Sequence, residues 1–151
     1  SPGSSGNYYT LVSKTGSSPE SGWEVRIERS GGNSSRYRIA FVGSLDGNNS
    51  IRVTSSAFTL NLNTWTYFAV TWDLGRASFY SGVSSVSSRG RSTIGTLGVS
   101  SLATTSSPLR LGANATSGTS TSRWLDGALD EIRISQAVRT ITFPTGEFSP
   151  D

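Results

Sequence analysis

The carboxylates come first, because this chain contains neither histidine nor cysteine. Histidine is the usual general base near neutral pH and a common metal ligand, and cysteine is the usual thiol nucleophile. Paired Asp or Glu residues are therefore the side chains left for acid-base chemistry. Two pairs are close enough in sequence to consider, Glu24 with Glu28 and Asp126 with Asp130. Carboxylates alternating along one strand share a face, so that one could protonate a leaving group while another attacks or stabilises. Glu24 and Glu28 meet that condition, but Arg26 lies between them on the same face and would quench both. Asp126 precedes Gly127 in a turn. Read as ordinary surface ion pairs, such groups contribute about 0 to 1 kcal/mol each, and the chain is read as a non-enzyme.

Sugar recognition needs an aromatic platform flanked by amide and hydroxyl groups on a loop or concave face. Trp23, Trp65, Trp72 and Trp124 could supply one. Trp65 and Trp72 bound a run that is nearly all apolar or Thr, which reads as a central strand, so they are assigned to the core. Trp23 and Trp124 stand at strand starts beside polar loops and are the candidate platforms, with Asp46, Asn48 and Asn49 as loop partners; Asn114 lies in a further loop. The triplets at Asn33, Asn48 and Asn114 would permit N-glycosylation. With seven Asn and 47 Ser or Thr residues, about two such triplets arise by chance, so the signal is weak.

The elements that must position these groups are strands. The 151 residues fit one domain, which by size buries roughly 70% of the surface its unfolded chain exposes. Polar positions are filled by hydroxyls more than by charges, since charged residues make up 15% of the chain. A Gly-rich, hydroxyl-rich composition of that kind implies an all-β fold with many turns. Trp23, Val25 and Ile27 alternate with Glu24, Arg26 and Glu28, and Tyr37, Ile39 and Phe41 alternate with Arg36, Arg38 and Ala40. Those two runs predict a hairpin across Ser30-Gly31-Gly32-Asn33. Further strands are predicted at residues 8–13, at Ile51 and Val53 continuing to Phe58 and Leu60, at 65–72, at Ala77 to Tyr80 after a turn at Asp73-Leu74-Gly75, at Leu109 to Leu111, and at 124–135. Ser81-Gly82 is expected to turn the chain, and residues 84–107 to form a long loop anchored by Ile94, Leu97, Val99 and Leu102. Helix is expected only as a single turn near residues 136–139.

Two of these segments carry a recognisable pattern. Trp65, Ala69, Val70, Thr71 and Asp73 precede, by about sixty residues, the stretch Asp126-Gly127-Ala128-Leu129-Asp130-Glu131-Ile132-Arg133-Ile134. Together they resemble the W-x-x-x-A-V-T-x-D and D/G-G-x-L-D-E-I-R-I pair of the laminin-G-like, concanavalin A-like lectin/glucanase superfamily. The resemblance covers residues 8–151 and implies a two-sheet antiparallel jelly-roll sandwich. In related domains the acid matching Asp130 helps to bind a structural Ca2+, so Asp130 and Glu131 become candidate metal ligands. Calcium takes about six to eight oxygens, and the N-terminal region that would donate several of them is missing. The alternative is that Asp130 caps a turn by accepting backbone N–H bonds. No cofactor is required on either reading. The resemblance also implies an apolar strand ahead of residue 8 that residues 1–7 cannot supply. The exposed edge is therefore expected to be closed by the Ser-rich arm, by the C-terminal strap or by a neighbouring subunit.

The organisation expected is a flexible arm at residues 1–7, a sandwich at 8–138 and an extended strap at 139–151. The absence of an initiating Met favours a processed protein or an excised fragment. Net charge is +3, from 13 basic and 10 acidic residues. No three basic residues are adjacent, which argues for solvated strand positions and against nucleic acid as a partner. No apolar stretch is long enough for membrane insertion. The expected function is a secreted, cell-surface or virion-surface binding or adhesion module whose partner is a glycan or a cell-surface protein. The alternative is a structural subunit of a filament, fibre or phage appendage that self-assembles through an open sheet edge.

Overall fold

Alternating apolar and polar residues build the first sheet. The computed structural model describes residues 8–16, 21–30, 36–44, 50–61, 63–83, 90–96, 101–115 and 121–141. Its strands are β1 (Tyr8–Thr15), β2 (Gly22–Arg29), β3 (Arg36–Ser44), β4 (Ser50–Thr54), β5 (Phe58–Thr59), β6 (Thr66–Asp73), β7 (Arg76–Val83), β8 (Gly90–Thr96), β9 (Arg110–Leu111), β10 (Asn114–Ala115) and β11 (Thr121–Ser122). All pairings are antiparallel. A six-stranded sheet runs β4-β3-β2-β1-β9, with β5 extending the β4 side of β3; a three-stranded sheet runs β6-β7-β8, and β10 and β11 form a small ribbon.

The β2–β3 register opposes Val25 to Phe41 and Ile27 to Ile39, and β3–β4 opposes Phe41 to Val53, so these side chains share one face. Ala77 and Phe79 of β7 meet them from the other sheet, and Ile39 and Phe79 are each 1% exposed. Phe68, Val70 and Trp72 of β6, with Leu102 from the segment between β8 and β9, pack around this cluster. Phe41 stacks on Trp72 at 5.1 Å between ring centroids, and Phe58 meets Phe68 at 5.6 Å. The all-β fold implied by composition and the two-sheet antiparallel sandwich implied by the family resemblance are the fold observed.

The β6–β7 turn falls at Leu74 and Gly75, whose φ angles of 43° and 84° give the double left-handed geometry that suits a two-residue hairpin. Ser81-Gly82 does not turn the chain. Both residues pair with β6, and Ser81 also pairs with Gly90, so β7 continues to Val83 and β8 lies inside the segment expected to be loop. Backbone pairing on an available edge outweighs weak side-chain patterning there. Among the described residues the centre of the second sheet is β7 and β6 lies at its edge, and Trp65, placed in the core by sequence, is 56% exposed.

The larger departure is at residues 124–135, which form no strand. Leu129, Ile132 and Ile134 are 38%, 44% and 51% exposed. Glu131 has a φ of 52°, which breaks an extended run, and β1's outer edge is already occupied. Along that edge Val12 and Ser13 pair with β9, Leu11 O accepts from Gly112 N–H, and Thr10 N–H donates to Arg123 O. Closure of β1 thus comes from residues 110–123, ahead of the expected C-terminal strap. Residues 136–137 form a bend, and no helix occurs among the described residues.

Candidate functional site

The outer face of the six-stranded sheet carries the ion pairs seen among the described residues, joined into one network. Strand parity puts Glu24, Arg26 and Glu28 of β2 on the side away from the core, with Arg36, Arg38 and Ala40 of β3 and Arg52 of β4. A bulge at Leu11 shifts the β1 register, so that Tyr8, Thr10 and Ser13 lie opposite Glu28, Arg26 and Glu24. Gly22, which enters β2 at φ 96°, has Lys14 O 1.8 Å from where a Cβ would sit, so only glycine fits there. Past β9, Gly112 at φ 68° turns the chain so that Ala113 and Asn114 lie against β1, where Ser13 Oγ donates to Ala113 O at 2.8 Å.

Every carboxylate oxygen of this face is engaged. Thr10 Oγ1 donates to Glu24 Oε1 at 2.5 Å, Asn114 Nδ2 donates to Oε2 at 3.0 Å, and Arg26 Nη1 stands 3.6 Å from Oε2. Thr15 Oγ1 donates to Asn114 Oδ1 at 2.6 Å, which fixes the amide's orientation. Glu28 Oε1 accepts from Arg26 Nε at 2.7 Å and from Arg52 Nε at 2.9 Å, and Oε2 pairs with Arg52 Nη2. Tyr8 covers the end of the network, with the Arg26 and Arg123 guanidinium carbons 3.9 and 4.4 Å from its ring centroid.

The two glutamates are pushed in opposite directions. Burial raises Glu24 above the usual carboxylate range, only partly offset by the Thr10 hydroxyl and by Arg26. Burial also acts to raise Glu28, but hydrogen bonds from Arg52 and Arg26 outweigh it and hold that carboxyl below the usual range. Burial raises the Tyr8 phenol as well. A pair pushed apart in this way is what acid-base catalysis uses. Here, however, Glu24 and Glu28 are 3% and 8% exposed and their oxygens face protein donors, so the arrangement is built to hold a sheet face together. The quenching of both acids by Arg26, read from sequence spacing, is what the geometry contains.

The residues singled out by sequence are dispersed. Trp23 packs against the core cluster and is half-buried, whereas Trp124 is 59% exposed and directly follows Arg123 at the rim of the polar face. Asp46, Asn48, Asn49 and Asn33 lie outside the described residues. Asn114 is 6% exposed with its amide nitrogen committed to Glu24, so the third sequon is not presented for glycosylation; a loop amide was expected and a buried one is found. Asp130 and Glu131 are exposed, and Asp130 Oδ1 accepts the Glu131 N–H at 2.8 Å, the turn-capping geometry. Among the described residues no group of three or more acids converges. Asp130 and Glu131 alone do not fit calcium's demand for oxygen ligands. Sequence reading missed Tyr8, Thr10, Arg38, Arg52 and Arg123 as members of one site. Equal parity on adjacent strands was the available signal for Arg38 and Arg52, while Arg123 arrives through the chain reversal after β9.

Two facing antiparallel sheets around an aromatic and aliphatic core, with a polar outer face and exposed rims, define the concanavalin A-like class of sandwich. The laminin-G model of the Concanavalin A-like lectin/glucanases superfamily matches residues 1–142, and the chain belongs to that family. Searches among curated proteins and among solved structures gave no match. Domains of this family are generally non-catalytic binding modules and are typically extracellular. Among the described residues no helix is long and apolar enough to cross a membrane.

Proposed function

We propose that this domain is a non-catalytic recognition module of the cell or virion exterior that binds a glycan or a glycan-bearing surface protein. The observation that carries this reading is the placement of Trp124, a solvent-facing indole at the rim of a hydroxyl-, amide- and arginine-lined sheet face. Asp46, Asn48 and Asn49 are the proposed loop contacts, with Trp23 as a secondary one. A glycan array followed by titration of the strongest ligand tests the reading. Saturable binding that Trp124→Ala removes without lowering the melting temperature is expected. Undiminished binding by that variant, or a blank array, would overturn it. Trp23→Ala is the weaker probe, because that ring also packs on the core.

A different observation favours a second reading, a structural subunit of a filament, fibre or phage appendage. Trp124, Leu129, Ile132, Ile134 and Val138 form an exposed apolar run within residues 124–138, which contain no strand. The segment is self-complementary about Ile132, since antiparallel pairing of two copies would oppose Glu131 to Arg133 twice over. Light scattering across a concentration series, with Arg133→Glu as the charge-clash variant, tests it. Assembly that this substitution abolishes is expected, and a monomer at every concentration would refute it.

A further inference from the structure

The attachment of the chain to β1 changes character at Gly112. β9 docks by backbone pairing, Val12 with Leu111 and Ser13 with Arg110, and Gly112 N–H donates to Leu11 O. Across Ala113 and Asn114 the described ties are made by side chains instead. Ser13 Oγ donates to Ala113 O, Thr15 Oγ1 donates to Asn114 Oδ1, and Asn114 Nδ2 donates to Glu24 Oε2 on β2. The β10–β11 ribbon then returns to the sheet at Arg123, whose carbonyl accepts from Thr10 N–H, and Leu125 N–H closes its base on Gly112 O at 2.8 Å. Gly112 and Arg123, with φ angles of 68° and 69°, are left-handed bends at the two ends of this excursion. Trp124 follows the second bend directly.

We propose that Glu24 is a charge-sensitive tie for the β10–β11 ribbon: uncharged, it holds Asn114 against β1 and keeps Trp124 at the rim, and ionised, it lets the ribbon loosen toward water. The bearing of this tie on recognition rests on the reading of Trp124 as a glycan contact. The geometry treats the two charge states unequally. As an acid, Glu24 can donate to Thr10 Oγ1 across the 2.5 Å contact while Oε2 still accepts from Asn114, so each bond survives without a buried charge. As a carboxylate it is 3% exposed, and its nearest cation, Arg26 Nη1 at 3.6 Å, belongs to a guanidinium already bonded to Glu28. Burial therefore outweighs the donors and raises this carboxyl, and displacing Asn114 admits the water that ionisation demands. The other charged or titratable groups facing Glu24 are Tyr8 on β1, Arg26 and Glu28 on β2 and Arg123 beyond β11. Val42, opposite it on β3, is uncharged, and Arg52 behind Val42 is committed to Glu28. Of these groups Glu28 alone titrates in acid, and it does so below Glu24.

The test is amide hydrogen exchange of the whole domain by NMR across mildly acidic to neutral pH, with rates corrected for the intrinsic pH dependence of exchange. Thr10 and Leu125 N–H, bonded to Arg123 O and Gly112 O, report the ribbon, and Ile27 and Phe41 of the inner strands β2 and β3 report the whole domain. A raised carboxyl favours the closed ribbon below the ordinary value of 4.5, and that preference is lost as pH rises through the higher folded value. Opening at Thr10 and Leu125 should therefore grow by up to about tenfold per pH unit over that window, ahead of Ile27 and Phe41. Glu24→Gln, which keeps both bonds without a charge, should hold the ribbon closed at every pH, and Asn114→Ala should leave it loose at every pH. Glycan binding through Trp124 should weaken over the same window in wild type and not in Glu24→Gln. Should Glu24→Gln fold poorly, the Glu24 carboxyl carbon and the Asn114 side-chain amide of wild type must titrate with one midpoint. A ribbon that loosens on schedule beside a blank glycan array would leave the tie standing and remove the glycan reading. Ribbon amides indifferent to pH, a response shared equally by Ile27 and Phe41, a response that persists in Glu24→Gln, or two separate midpoints would each overturn the tie.

Discussion

Removing the charge of Glu28 should cost more than removing either arginine that holds it. Glu28 is 8% exposed and is pinned from two sides, by Arg26 on its own strand and by Arg52 across two strands. The two contacts are unequal in environment. The Arg26 side chain is 14% exposed and the Arg52 side chain 47%, so water competes far more for the second. A charged hydrogen bond in a largely dry setting is worth about 1.5–3 kcal/mol, and a half-exposed pair about 0–1 kcal/mol. Glu28→Gln should therefore lose about 2–4 kcal/mol, while Arg52→Ala should lose no more than about 1 kcal/mol. In a domain of this length that corresponds to a fall in melting temperature of roughly 4–16 °C for Glu28→Gln.

The pH dependence gives the same reasoning an independent check. Because Glu28 is held below its ordinary value of 4.5, the unfolded chain takes up that proton before the folded one does. The stabilisation is complete above the unfolded value and drains away as pH falls through the lower folded value. Thermal melts of wild type and Glu28→Gln should therefore converge in acid and separate toward neutrality. Melting temperatures that differ by the same amount at acid and neutral pH, or equal losses for Glu28→Gln and Arg52→Ala, would show that the face is not organised around this carboxylate.

Glu24 carries the opposite sign: its raised carboxyl favours the fold below 4.5, and that contribution disappears as pH rises through the higher folded value, so Glu24→Gln should gain on wild type as pH rises above 4.5 in the same melts. Asn114→Ala leaves a buried Glu24 oxygen and the Thr15 hydroxyl without their partner and should cost about 1–3 kcal/mol by denaturant titration. Expression in a glycosylating host should give no glycan on Asn114 by mass spectrometry, because the amide is buried and bonded. Phe79→Ala, at the contact between the two sheets, should cost about 3–5 kcal/mol and is the control for a wholly apolar loss.

Period-2 alternation made the first sheet legible, because each face of β2 and β3 has one solvent and a register slip would bury Arg26 or expose Ile27. The hairpin, the turn at Leu74 and Gly75 and the aromatic core around Trp72 follow from the same pattern. What alternation cannot convey is whether a strand has a neighbour. Residues 128–134 have the composition of a strand, and β8 has little of it, yet β8 pairs along β7 while 128–134 stay irregular. A strand is completed by hydrogen bonds to another segment, and β1's outer edge spends its groups on Leu111, Gly112 and Arg123. A family pattern identifies the superfamily from such a run without specifying which edge receives it.

Charge was illegible for a related reason. Arginines at positions 26, 36, 38 and 52 look scattered when counted along the chain, and counted so they argued against nucleic acid as a partner. The antiparallel register folds those intervals back. Glu28 lies opposite Arg38, Arg26 opposite Ala40, and Val42 opposite Arg52, which packs four separated cations onto one side of three adjacent strands. Ala40, on that outward side, is nonetheless fully buried, as expected where arginine stems lie over a small residue. The paired members, Arg26 and Arg52, fix the position of the face, and the more buried of the two, Arg26, does so in the drier setting. Arg26→Ala should therefore cost more stability than Arg52→Ala in denaturant titration, and equal losses would contradict that ordering.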